Sequence, residues 1–182
     1  MRKLMTLAMV FVVIAGVFCG GKTGSQVPAA VEKFPVEATS ALTDEAIVQL
    51  VKILPAFSAA LKAGNWTPTQ PKEGDGPVVA LTSFVEGMNV PGLDDSLKKV
   101  GSSWSALRPT LYKVFAASAA LSLDAASPQA IEQMKNDTSA VAKKAVKYYD
   151  AFKAACVTVP TENKQTLTRH QQELQLLQTL GR

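Results

Sequence analysis

The chain has little of the chemistry on which enzymes and metal sites usually draw. It carries two cysteines, a single histidine and an aromatic fraction of only 7%. Two cysteines are too few for a disulfide scaffold or a zinc module. One histidine nearly excludes multi-histidine metal chemistry. The Cys-x-x-Cys-His haem motif and the Glu-x-x-His pairs of di-iron bundles are absent. So are a Gly-x-Ser-x-Gly elbow, a phosphate loop, a zincin pair and a dinucleotide fingerprint. Adjacent carboxylates occur only as Asp44-Glu45 and Asp94-Asp95, at expected helix starts, where they complement the helix dipole. Glu73 and Asp75 lie in a glycine-bearing loop without the EF-hand ligand pattern and read as a solvated turn. The expectation is a non-enzymatic chain without metal or cofactor.

What is present suits a helical core. The chain has 182 residues, 47% of them hydrophobic, which fits one compact domain. Twenty-six residues are alanine, the best helix former, whose small side chain lets helices pack closely.

The first residues read as an address. Arg2 and Lys3 precede Leu4–Phe18, a run in which only Thr6 has a polar side chain. A cationic start and a short apolar run make a secretory signal, and the run falls short of the ~20 residues that span a bilayer. Ala15-Gly16-Val17-Phe18-Cys19-Gly20 resembles a bacterial lipoprotein lipobox, in which the cysteine becomes the acylated N-terminus. Phe18 stands where a small residue is usual. The alternative is ordinary signal-peptide cleavage, giving a soluble periplasmic or secreted protein. Gly20–Gln26 reads as a flexible leash, and residues 27–40, with Pro28 and Pro35, as further linker. The division expected is a signal peptide over 1–18, a lipid-attachment cysteine and tether over 19–40, and a helical domain over 41–182.

Export also changes the charge. Without Arg2 and Lys3 the formal +4 falls to +2, with seventeen basic against fifteen acidic residues. No clustered basic face with stacking aromatics remains, so nucleic acid is not an expected partner. With Cys19 acylated, Cys156 is a small buried apolar residue. With Cys19 free, a Cys19–Cys156 disulfide becomes available.

Helical periodicity organises the rest. Thr43 is an N-cap followed by Asp44 and Glu45, and Ile47, Leu50, Val51, Leu54, Phe57 and Leu61 follow at helical spacing to Gly64. Residues 64–77 form a loop, and Val78–Met88 a short helix. Leu93, Leu97, Val100, Trp104, Leu107, Leu111, Val114, Ser118 and Leu121 make a seam, interrupted near Gly101-Ser102-Ser103 where a serine caps a new helix. Ser127-Pro128 opens a second seam through Ile131, Met134, Thr138, Val141, Ala145, Tyr148, Phe152 and Ala155. A last helix runs from Thr161 through Leu167, Leu174 and Leu177. The pattern predicts an all-α fold, an antiparallel bundle of four to five helices, with bends at Pro55 and Pro109.

Two residues stand out as candidate ligand contacts. His170 sits between Leu167 and Leu174, at the edge of the expected core. Trp66, in the 64–77 loop, reads as a lid over the core or an aromatic that meets a ligand. Lys143, Lys144 and Lys147 share one face, explained by solvation or by weak contact with anionic lipid.

Three segments resemble small exported, all-helical bacterial proteins and lipoproteins of unassigned function. They are Leu42–Leu50 leading to Leu54-Pro55, Ser103-Trp104 with Tyr112, and Val159–Asn163 opening the C-terminal helix. The resemblance implies export and a helical fold, and it carries no catalytic or binding residues. The reading is a cell-envelope lipoprotein, anchored in the membrane (the outer membrane favoured) through palmitate-type acylation of Cys19 and contacting an unknown envelope protein. The alternative is a periplasmic small-molecule or lipid-binding bundle.

Overall fold

Packing begins ahead of residue 41. The computed structural model describes residues 33–69, 72 and 75–179; the apolar address, Cys19, the leash and Glu73 lie outside them. Phe34, Ala38 and Leu42 are buried, and Val36–Thr39 form one helical turn, α1. Residues 34–40 therefore belong to the packed body, not to the tether expected over 19–40. Two prolines and a lack of periodicity hid them, because their burial comes from distant partners rather than from a local pattern.

Thr43 then starts α2 (Asp44–Ala63) as its sequence dictates. The threonine hydroxyl accepts the Ala46 N–H at 3.2 Å, and Asp44 and Glu45 occupy the first turn. Ile47, Leu50, Leu54, Phe57 and Leu61 form the buried stripe. The helix continues unbroken through Pro55. It closes in a Schellman turn: Trp66 N–H bonds to Leu61 C=O and Asn65 N–H to Lys62 C=O, with Asn65 left-handed at φ 51°. Gly64 is required there for space, since a Cβ would come within 2.8 Å of the Val90 side chain.

Pro77 opens α3 (Pro77–Glu86) from the first position, where its missing N–H costs nothing. The short α4 (Leu93–Lys98) buries Leu93 and Leu97, and the chain leaves it through Gly101 at φ 74°. This reversal turns Val100 out to 46% exposure, off the predicted seam. Ser103 caps α5 (Trp104–Asp124) by accepting the Ala106 N–H. Asp94 adds a second cap across the turn, accepting the Trp104 N–H at 2.7 Å. That bond holds its carboxyl below the usual range.

Helix α5 is the hub. It packs on α1, α2, α3, α4, on α7 (Ala140–Cys156) and on α8 (Thr161–Arg169). Four buried alanines, Ala116, Ala117, Ala119 and Ala120, let neighbours approach on several sides, and Pro109 does not divide the helix.

The second predicted seam is broken. Ser127 and Pro128 start α6 as expected, but α6 ends at Asn136 (Pro128–Asn136). Asp137 accepts the Ser139 N–H at 2.8 Å, and Ser139 caps α7 through the Ala142 N–H. Ser, Asp and Thr compete with the helix for its own backbone bonds, and here they win. Consequently α6 buries no residue and Val141 is 64% exposed, while Tyr148, Phe152 and Ala155 hold the inner half of the seam. The last helix also stops early, at Arg169. A 3-10 helix, Glu173–Thr179, carries Leu174 and Leu177 into the core against α2. The fold is all-α, with no strand among the described residues.

Candidate functional site

The structure gives the two sequence-predicted contacts separate neighbourhoods. The Schellman turn swings Trp66 back onto α3, where its ring meets Phe84 edge-on at 5.5 Å; Phe84 in turn meets Phe115 of α5 at 5.3 Å. Edge-to-face rings at this spacing attract through their quadrupoles. Trp66 is half-buried, as a lid is, and its indole N–H is enclosed without a partner.

His170 caps α8 and stands between two carboxylates. Its Nδ1 lies 2.7 Å from Glu173 Oε2 and its Nε2 2.8 Å from Asp44 Oδ1. Arg169 donates to both Asp44 oxygens, at 2.9 and 3.1 Å. Hydrogen bonds from Glu173 and then Asp44 raise the His170 pKa. Those from Arg169 and then His170 lower that of Asp44. With a carboxylate at each ring nitrogen, the charged imidazolium is stabilised relative to the neutral ring. The carboxylates sit on opposite ring edges, so they cannot converge with the histidine on one metal ion, and no metal-ligand cluster occurs among the described residues. The arrangement is a tie between the start of α2 and the end of α8.

A second polar centre joins α1, α3 and α5. Tyr112 donates to Glu86 at 2.6 Å, and Arg108 spans Glu86 and Glu37 at 3.4 and 3.5 Å. Burial, then the Glu86 bond, push the Tyr112 hydroxyl far above its ordinary value, so it remains a donor at any physiological pH.

The residue that sequence reasoning missed is Asn163. It is fully buried; its Oδ1 accepts the Leu42 N–H at 2.7 Å and its Nδ2 donates to the Ser40 carbonyl at 2.9 Å. One side-chain amide thereby satisfies the Leu42 N–H, which would otherwise be buried unpaired, and ties down the Ser40 carbonyl beside it. An asparagine in the first turn of a helix was the only signal, and it reads more simply as helix-start chemistry.

The described surface also contains an open cleft of about 650 Å³ between the end of α5, α6, the end of α7 and the start of α8. Leu123, Ile131 and Val159 line it, with Lys135 and Lys153. The Asp124–Lys164 pair, at 2.9 Å, closes one side. Cys156 forms part of the wall, and burial, with Asp124 nearby, pushes its thiol up to about 12. It is a neutral apolar surface there rather than a nucleophile. Neither Trp66 nor His170 lines this cleft. No signal in the sequence placed it, because it exists only through the break at Asp137–Ser139 that frees α6. Asp75 ties its own loop through the Lys72 N–H at 2.8 Å, and Lys143 and Lys147 lie exposed on α7. No family model, curated protein or solved structure matches the chain, so any functional reading stands on these residues alone.

Proposed function

We propose that the protein is a non-enzymatic lipoprotein of a bacterial cell envelope, held on the membrane by acylated Cys19 and acting through contacts of its helical body with another envelope protein. The observation that carries this is the order of the chain: a cationic apolar address, a cysteine, a Gly/Ser spacer, and then a helical body whose packing starts at Phe34. Acyl chains at ~0.8 kcal/mol per buried methylene would hold such a body without a spanning helix. Helix α2 is apolar and long enough to cross a membrane by length and composition, but its apolar stripe faces the core of the body. Radiolabelled palmitate is expected on the wild-type chain and absent from Cys19→Ala. Equal labelling of both, or of neither, would overturn the anchor.

A second reading, binding of a small molecule or lipid, is favoured by one observation. The cleft beside α6 is open and of ligand size.

A further inference from the structure

We propose that the α5–α8 cleft binds a single-chain amphiphile with an anionic headgroup, its chain on Leu123, Ile131 and Val159 and its headgroup between Lys135 and Lys153. The inference deepens the second reading above and rests on it. Two features point the same way, and a third concerns the helix ends at the same place.

The first is the state of α6. Amphipathic helices in a body of this size normally bury their apolar stripe, yet α6 buries nothing and Ile131 stays half-exposed over the trough. Leu123 packs against the core from one side, whereas Ile131 does not; chain atoms laid in the trough would give Ile131 apolar neighbours that the protein itself does not supply.

The second is the charge at the rim. Three lysines and two carboxylates line the cleft, but Lys164 and Asp124 cancel each other in place. Lys135 and Lys153 each stand in the last turn of their helices, where they suit the dipole, and neither is paired with a carboxylate among the described residues. Glu132 is the one remaining negative group on the lining. Two free ammonium groups at the edge of a trough of mixed apolar and polar lining favour an anion with a hydrocarbon tail over a neutral or cationic one.

The third is the opening of α8. Thr161 lines the cleft, and the helix has Pro160 at its N-cap with no side-chain cap. Its partial positive end favours an anionic group, while the partial negative ends of α5 and α7 on the same lining oppose it, so the preference for an anion rests on the lysines.

A fatty-acid carboxylate and an alkyl phosphate share this chemistry, and the test separates them. The full chain is reconstituted in zwitterionic lipid nanodiscs and exposed to three photoreactive C12 probes with a diazirine in the chain: a fatty acid, an alkyl phosphate and an alkanol. Cross-linked peptides are mapped by mass spectrometry. One or both acidic probes are expected to label peptides covering 123–135 and 149–159, and Lys135→Glu/Lys153→Glu is expected to cut that labelling about tenfold. Both lysines are exposed, and an unchanged helical circular dichroism spectrum serves as the folding check. Which acidic probe labels more strongly identifies the headgroup. If the alkanol labels equally, or the double variant labels like wild type, the anionic inference falls while cleft binding stands. If no probe reaches those peptides, both fall.

Discussion

Helices α5 and α6 follow one another in the chain and live in different worlds. Helix α5 touches six other helices and buries ten of its residues; α6 begins after a three-residue turn, packs chiefly on α7 and buries none. Both have serine N-caps that accept the expected backbone N–H, so local sequence starts each equally well. What separates them is the supply of partners. Alanines on several faces of α5 admit close neighbours, whereas α6 is cut from α7 by Asp137 and Ser139 before its apolar stripe reaches the core. Capping decides where a helix begins, and packing decides what it is worth.

The sharpest way to break this contrast is a matched pair of truncations. Leu111→Ala, in the fully buried face of α5, is expected to lose roughly 2–5 kcal/mol in urea unfolding. Ile131→Ala on α6 is expected to lose less than about 1 kcal/mol, because a half-exposed side chain has fewer contacts to forfeit. Equal losses would mean that α6 is as integral as α5.

Next in size is the Asn163 clamp, which holds residues 40–42 against the body. Asn163→Ala leaves the Leu42 N–H buried without a partner, removes the bond to the Ser40 carbonyl, and is expected to lose roughly 1–3 kcal/mol. Hydrogen exchange should accelerate at Leu42 while α6 amides are unchanged. Acceleration spread evenly over the molecule would show the clamp to be general packing rather than a local lock.

The smallest expected effect is the pH dependence of the His170 tie. His170 has its pKa raised above 6.5. Its contribution is therefore complete below 6.5 and lost as pH rises through the folded-state value. Asp44 is lowered below 3.8, so its contribution is present above 3.8 and lost as pH falls through its folded-state value. The tie is strongest between about pH 4 and 6.5. Asp44 and Glu173 are about half-exposed, and solvent screening keeps the effect small. The urea midpoint of wild type should decline slightly on the alkaline side, and His170→Gln should flatten that limb. A variant with the wild-type slope would move the titration to another group.

The contrast between the two helices also explains what could be read in advance. The cap and stripe of α2, a serine-capped restart at Ser102 or Ser103 and the Ser127-Pro128 start were legible because each is a pattern within one or two turns. Leu93, Leu97, Leu107, Leu111 and Val114 fell inside as their spacing predicts. The seam from Ile131 to Val141 was misread, since period alone does not reveal that Asp137 and Ser139 will take the backbone bonds for themselves. Phe34 and Ala38 were missed for the opposite reason: they are buried without any period. The Asn163 clamp and the cleft depend on segments far apart in sequence, and neither leaves a mark on its own neighbourhood.

The reach of that clamp sets an order of events. Its two bonds join residues separated by 121 and 123 positions, so the beginning of the body cannot lock until nearly the whole chain is present. A polypeptide emerging N-terminus first holds Phe34, Ala38 and Leu42 in waiting while everything up to α8 follows. Late closure of this kind slows folding relative to local helix formation. The helix that starts at Thr161, near the end of the chain, is thus the latch on the first turn of the body.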